Sequence, residues 1–210
     1  MRILIVGGGV AGLTLAAKLR QQGREPVVVE QSPEYTDRGY GIGLYPLGSC
    51  VLHGLGVYEE FLARGIETRR YEIADHTGQV LLALDTAVLT DNVGPMILLP
   101  RTDLIDLLRK ACKGTAIRMG TTVERIDQGD DLVEVTLSDG TSAEFDLVIG
   151  CEGIHSRVRS RIFGEPEIFD CGWTIWTWWG RDGLFPVDLA REYWGPRLHA
   201  RGPGLQPAIA

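Results

Sequence analysis

The stretch from Met1 to Glu30 constrains the fold more than any other part of the chain. Ile3-Leu4-Ile5-Val6 is an apolar run with no polar interruption, as expected of a strand buried on both faces of a parallel sheet. Gly7-Gly8-Gly9-Val10-Ala11-Gly12 follows, and Gly7, Gly9 and Gly12 give the spacing G-x-G-x-x-G. Ala11 to Gln22 is predicted to be a helix, with Ala11, Leu15 and Leu19 recurring on one face and Gly23 closing it. Pro26-Val27-Val28-Val29 reads as a second strand. Glu30 stands at its carboxyl end, about 20 residues beyond the glycines, where a dinucleotide site places an acid.

Each position has a physical reason. Gly7 permits a tight turn out of the strand, Gly9 lets a phosphate approach the backbone, and Gly12 lets helix and strand pack closely. The helix amino terminus offers N–H groups and partial positive charge to a pyrophosphate, an interaction of roughly 0.3 to 2 kcal/mol. Glu30 can accept both hydroxyls of an adenosine ribose and would repel a 2′-phosphate, which disfavours NADP at this particular site. Dinucleotide binding is expected; the alternative is a glycine turn that serves packing alone.

The remaining composition narrows the partners. A net charge of -7 and the lack of any Lys/Arg run argue against nucleic acid or an anionic membrane and for a small-molecule partner. Cys50, Cys112, Cys151 and Cys171 are widely spaced, with no C-x-x-C, so free, buried thiols are expected in place of zinc or a redox pair. No apolar run approaches membrane-spanning length, and the first strand starts at once, leaving no room for a signal peptide. A cytoplasmic setting is the expectation.

Further along, Gly39-Tyr40-Gly41-Ile42-Gly43-Leu44 reads as a glycine-dense loop, either pressed against a flat ligand or simply flexible. Pro46 to Leu55 and Tyr58 to Arg64 are expected to be short helices. Arg70 to Ala74, Gln79 to Leu84 and Met96 to Leu99 are expected strands, a break from βαβ order that marks a second sheet. A helix follows Pro100, with Thr102 as its expected N-cap. Ala116 to Arg118, Thr122 to Ile126 and the alternating Leu132 to Leu137 are strands, and Asp139-Gly140 is a hairpin turn. The return strand ends in Phe145-Asp146-Leu147-Val148-Ile149-Gly150, apolar enough to enter the parallel sheet. Cys151-Glu152-Gly153-Ile154-His155-Ser156-Arg157-Val158-Arg159 is a second strand-to-helix turn, with Ser156 as a cap.

Taken together, Gly7-x-Gly9-x-x-Gly12 with Glu30, the Gly39 to Leu44 loop and the Cys151 to Arg159 segment resemble the amino-terminal part of a class A FAD-dependent monooxygenase, the p-hydroxybenzoate hydroxylase-like family of aromatic hydroxylases. The resemblance covers about residues 1 to 195 and implies an α/β fold: a Rossmann-like FAD-binding domain with an inserted antiparallel β-meander and part of a second, substrate-domain sheet. It divides the chain into a discontinuous FAD-binding domain (1–70 and 101–165), a partial substrate domain (71–100 and 166–195) and a disordered tail (196–210). It assigns Gly7, Gly9, Ala11, Gly12, Glu30, Arg38, Gly41, Ile42, Arg101, Val123 and Glu152 to the cofactor. Of these, Arg101 matches the arginine that reaches the flavin phosphate and ribitol, and Val123 lies where the backbone meets adenine. Glu152 replaces the family's aspartate in D-G-x-x-S-x-x-R, a segment linked to FAD and NAD(P)H.

The implied activity is NAD(P)H-dependent hydroxylation of a small aromatic or apolar substrate by O₂ through a flavin hydroperoxide. An inactive truncated fragment, or an epoxidase or reductase of the same fold, would share the motifs. The family's downstream Gly-Asp motif has no counterpart here, and the proline- and glycine-rich end reads as a truncated or frame-shifted terminus. Trp173, Trp176, Trp178, Trp179 and Trp194 are candidates for core packing or an aromatic pocket. No histidine is assigned a catalytic role, and no residue pattern sets an oligomeric state.

Overall fold

The computed structural model describes residues 1–36, 40–90, 94–170, 172, 186–195 and 199–202. Arg38, Cys171, Trp173, Trp176, Trp178 and Trp179 lie outside the described residues. In chain order the elements begin with β1 (Ile3–Val6), α1 (Val10–Gln21), β2 (Val27–Glu30), β3 (Gly41–Leu44), α2 (Pro46–Gly54), α3 (Tyr58–Arg64) and β4 (Ile66–Glu67). Next come β5 (Arg70–Asp75), β6 (Val80–Asp85), α4 (Ala87–Thr90), β7 (Ile97–Pro100), α5 (Arg101–Ala111) and β8 (Ala116–Met119). The series closes with β9 (Val123–Gln128), β10 (Val133–Leu137), β11 (Ser142–Phe145), β12 (Leu147–Gly150), α6 (Arg157–Phe163), β13 (Leu189–Trp194) and β14 (His199–Gly202). The chain forms two compact units, one of Met1–Arg38 with Leu104–Ile175, the other of Gly39–Asp103 with Trp176–Ala210.

In the first unit β12, β1, β2 and β8 form a parallel sheet in that order. Between β8 and β12 the chain makes the expected antiparallel meander, ordered β11-β10-β9. Alternation along β1 divides its side chains between two faces. Leu4 and Val6 join Val29, Val123, Val135, Leu137, Phe145 and Val158 in one buried cluster, which bonds the sheet to the meander and α6. Each such side chain contributes about 1.5 to 3 kcal/mol when fully buried. On α1 the buried residues are Gly12, Leu13, Ala16 and Ala17, while Leu15 and Leu19 are only partly covered. The Ala11–Leu15–Leu19 face is therefore not the packing face, because close approach to the sheet selects the smaller glycine and alanines. The thiol of Cys112, just past α5, donates to the Leu13 carbonyl at 3.0 Å and ties α5 to α1.

The second unit holds two sheets, ordered β14-β13-β5-β6 and β3-β7-β4. β5 and β6 form the hairpin expected around Thr77-Gly78, and β13 runs parallel to β5. Residues 40 to 70 belong to this unit. The cause is strand pairing: β3 and β4 both pair with β7. Gly65 permits that closeness, since a Cβ there would lie 2.1 Å from Ile97.

The structure departs from five further expectations. Gly41–Leu44 is a strand and not a loop, because β7 supplies a partner for its backbone. Thr102 lies inside α5 and does not cap it, the helix beginning directly at Arg101 after the last residue of β7. Cys50 is exposed, although Cys112 is buried as expected, and the described cysteines are free. Within the stretch expected to be a disordered tail, His199–Gly202 pairs antiparallel with β13. Trp194 is 44% exposed, so it joins neither a core nor an enclosed pocket.

Candidate functional site

Three strands of the first unit deliver their carboxyl ends to one edge of the sheet. Gly7 N–H donates to the Val29 carbonyl at 2.8 Å, and Cys151 N–H donates to the Val6 carbonyl at 2.6 Å. The turn after β1, Glu30 at the end of β2 and the turn after β12 are thus neighbours. Strand order departs in opposite directions on either side of β1, and a parallel sheet opens its ligand crevice at such a switch point.

The three motif glycines have distinct surroundings. Gly7 has φ +107°, and a Cβ there would stand 2.5 Å from the Cys151 carbonyl oxygen. A Cβ on Gly12 would fall 1.9 Å from the Gly7 oxygen, so helix and turn touch backbone to backbone. Gly9 differs: nothing lies within 4 Å of the position a Cβ would take. It is also the N-cap of α1, with no side chain capping the helix and no acid in its first turn. Ala11, in that turn, is exposed. A 12-residue helix thus presents its positive end beside open space.

Glu30 binds protein backbone with both oxygens. Oε2 accepts from Gly8 N–H at 2.7 Å and Oε1 from Ser32 N–H at 2.9 Å. Each oxygen keeps acceptor capacity for a hydroxyl. Tyr35 approaches the same turn, its hydroxyl donating to the Gly8 carbonyl at 3.0 Å. Burial, then the nearby Glu30 charge, pushes the Tyr35 phenol above its ordinary value, so it remains a donor at neutral pH. Tyr35 escaped the sequence reading because its partner is a backbone carbonyl distant in sequence. The one available signal was the middle glycine, Gly8, which the G-x-G-x-x-G spacing leaves unexplained.

Glu152 does not point away from its own turn. Its Oε2 accepts the Ser156 hydroxyl at 2.6 Å and its Oε1 accepts Arg157 N–H at 2.9 Å. Ser156 in turn accepts Arg159 N–H at 3.1 Å, the cap expected of it. The extra methylene relative to aspartate is taken up in reaching over a 3-10 turn, Gly153–His155, to the amino terminus of α6. Cys151 beside it has its thiol pushed up by burial and by the Glu152 charge, which keeps it protonated and poorly nucleophilic. Val123 is 1% exposed and packs in the buried cluster with Leu4 and Val6.

In the second unit Gly41, Ile42 and Arg101 come together. Gly41 pairs with Pro100 and Ile42 with Leu99, while Arg101 N–H donates to the Tyr40 carbonyl at 2.9 Å. Arg38 lies outside the described residues. Among the described residues no group of acids, histidines and cysteines is arranged to hold a metal ion. The donor set of the first unit suits a diphosphate with an attached ribose: an uncapped helix end, a glycine open to solvent and a carboxylate alongside.

Comparison with known proteins agrees with this geometry. Residues 1–174 match the family described as FAD binding domain. The 3-amino-4-hydroxybenzoate 2-monooxygenase of Streptomyces cremeus is 37% identical over 198 residues, covering 92% of this chain and 48% of its own. The crystal structure of p-nitrophenol 4-monooxygenase PnpA from Pseudomonas putida superposes with a TM-score of 0.70 at 26% identity, over 77% of this chain and 43% of that one. CtdE, solved in complex with FAD and a substrate, shares the fold with a TM-score of 0.79 at 20% identity, over 96% of this chain and 53% of its own. The chain spans about half the length of the curated relatives it matches. With its glycine turn, its acid at the end of β2 and its inserted meander, the chain belongs to the FAD binding domain family, that of the class A flavoprotein monooxygenases.

Proposed function

We propose that the chain holds FAD and serves an NAD(P)H-dependent monooxygenase that hydroxylates a small aromatic or apolar substrate. The observation that carries this reading is the amino terminus of α1: uncapped, free of acid, and flanked by a Gly9 that faces open space. In this reading the amides following Gly9 take the pyrophosphate, with exposed Ala11 leaving the approach clear. Gly7 and Gly12 keep the turn tight enough for those amides to converge. Glu30 takes the adenosine ribose with the acceptor capacity its two backbone bonds leave, and the Val123 backbone takes adenine. Arg101 bonds phosphate and ribitol, supported by Arg38, Gly41 and Ile42. Glu152 acts indirectly, fixing the turn whose Cys151 carbonyl walls Gly7.

Bound FAD, reduced by NAD(P)H, would supply the activation of O₂ and the transfer of one oxygen atom to the substrate. The protein residues position it and exclude water. Names of relatives such as 3-amino-4-hydroxybenzoate 2-monooxygenase support an aromatic substrate.

The test is the absorbance spectrum of the purified chain before and after incubation with FAD. Flavin bands at near-stoichiometric amount are expected. Folded, colourless protein that takes up no flavin would overturn the reading. Product analysis with NADH or NADPH then separates hydroxylation from epoxidation or reduction.

A further inference from the structure

Gly7, Gly9 and Gly12 each answer to the motif, but Gly8 does not, and its φ is not positive. What requires a glycine there is its surroundings. A Cβ on Gly8 would lie 2.6 Å from the Tyr35 hydroxyl oxygen and 3.0 Å from Glu30 Cβ. Both neighbours also bond to Gly8: its N–H donates to Glu30 at 2.7 Å and its carbonyl accepts from Tyr35 at 3.0 Å. These two bonds act on different peptide planes. Glu30 holds the Gly7–Gly8 peptide and Tyr35 holds the Gly8–Gly9 peptide. In a trans peptide the N–H points opposite to the C=O. Anchoring the Gly8 carbonyl therefore sets the direction of Gly9 N–H, at the open end of α1.

Tyr35 is itself held in place. It stands in a segment without helix or strand, yet the Arg109 guanidinium of α5 lies over its ring at 4.8 Å, a cation–π contact that favours this ring position. Asp106, 3.9 Å from Arg109, steadies the cation in turn.

We propose that Tyr35 is a positioning residue for the pyrophosphate-binding turn: its hydroxyl, opposite Glu30, clamps the Gly8 residue and so aims the Gly9 amide at the diphosphate of FAD. The proposal rests on the FAD reading above. Tyr35 touches no phosphate and acts through the backbone.

The experiment measures FAD and ADP affinity of the chain by calorimetry, with ligand-free melting recorded alongside, for Tyr35→Phe, Gly8→Ala and the double variant. Tyr35→Phe keeps the ring and its Arg109 contact and loses only the hydroxyl. Affinity for both ligands is expected to fall about 3- to 10-fold, the worth of one hydrogen bond, with the ligand-free melting midpoint moved by no more than about 4 °C. Gly8→Ala should lose more, and much of that loss should vanish in the Tyr35→Phe background, where the colliding oxygen is gone. Wild-type affinity in Tyr35→Phe, or losses that simply multiply in the double variant, would overturn the clamp and leave FAD binding standing. If Gly8→Ala does not fold, Tyr35→Phe alone decides. A wild-type chain that binds neither FAD nor ADP would overturn the FAD reading and the clamp with it.

Discussion

Two neighbouring strands, β1 and β12, each end in a turn that leads to a helix, and the two turns treat the helix amino terminus in opposite ways. After β12 the end of α6 is filled from within: Glu152 and Ser156 accept the N–H groups of Arg157 and Arg159. After β1 the end of α1 has no capping side chain at all. The first arrangement spends the helix terminus on local stability, and the second leaves it for an external anion. Similar turns at the same sheet edge thus differ, one stiffening the wall and the other left open where the proposed diphosphate would bind.

Four substitutions probe that division, beginning with the largest effect. Gly12→Ala forces a Cβ against the Gly7 oxygen and should cost about 3 kcal/mol or more in chemical denaturation, abolishing flavin uptake. Near-native stability would show that the backbone contact can relax. Glu152→Ala leaves the Ser156 cap but removes the acceptor of Arg157 N–H and of the Ser156 hydroxyl, and should cost about 2 kcal/mol. Its FAD affinity should change by less than about 3-fold. The reverse pattern, lost affinity with stability intact, would return Glu152 to the direct cofactor role that the family resemblance implies.

Glu30→Gln removes the charge from two backbone acceptor bonds and from the proposed ribose contact. A stability loss of about 1 kcal/mol and roughly tenfold weaker FAD binding are expected; calorimetry and denaturation on one preparation separate the two. Gly9→Ser has the smallest effect on stability and the sharpest meaning. Gly9 is extended, with φ -78° and ψ -166°, so a serine there can cap α1 and should stabilise the ligand-free chain by about 0.3 kcal/mol. The same hydroxyl would occupy the amides, so FAD should bind more weakly. Unchanged affinity would mean that the α1 terminus is not where the phosphates sit.

The strand-turn-helix-strand unit from Ile3 to Glu30 could be read from the sequence because its determinants are local: periodicity, glycine spacing and an acid at fixed distance. Ser156 was legible for the same reason. Gly41–Leu44 was not, since glycines weaken a strand signal and only β7, far along the chain, makes it one. The parallel match of β13 to β5 likewise joins Leu189 to Arg70, with no local cue. At the site, Gly7, Gly9, Gly12 and Glu30 were named by pattern. Glu152 was named by motif as well, but its bonds back onto α6 were not legible, because the reach of a side chain is settled by geometry and not by position in a motif.

The pairing of β1 also bears on how the molecule is assembled. One edge of β1 meets β2, made almost at once during synthesis, but the other meets Leu147–Gly150. Until those later residues leave the ribosome, that edge shows unpaired amides and carbonyls, a template for wrong partners. Cys151, which walls Gly7, arrives later still. The glycine turn is therefore translated well before Leu147–Gly150 and reaches its final shape only after them. Folding of this unit is tied to non-local strand closure, a slow step by its topology.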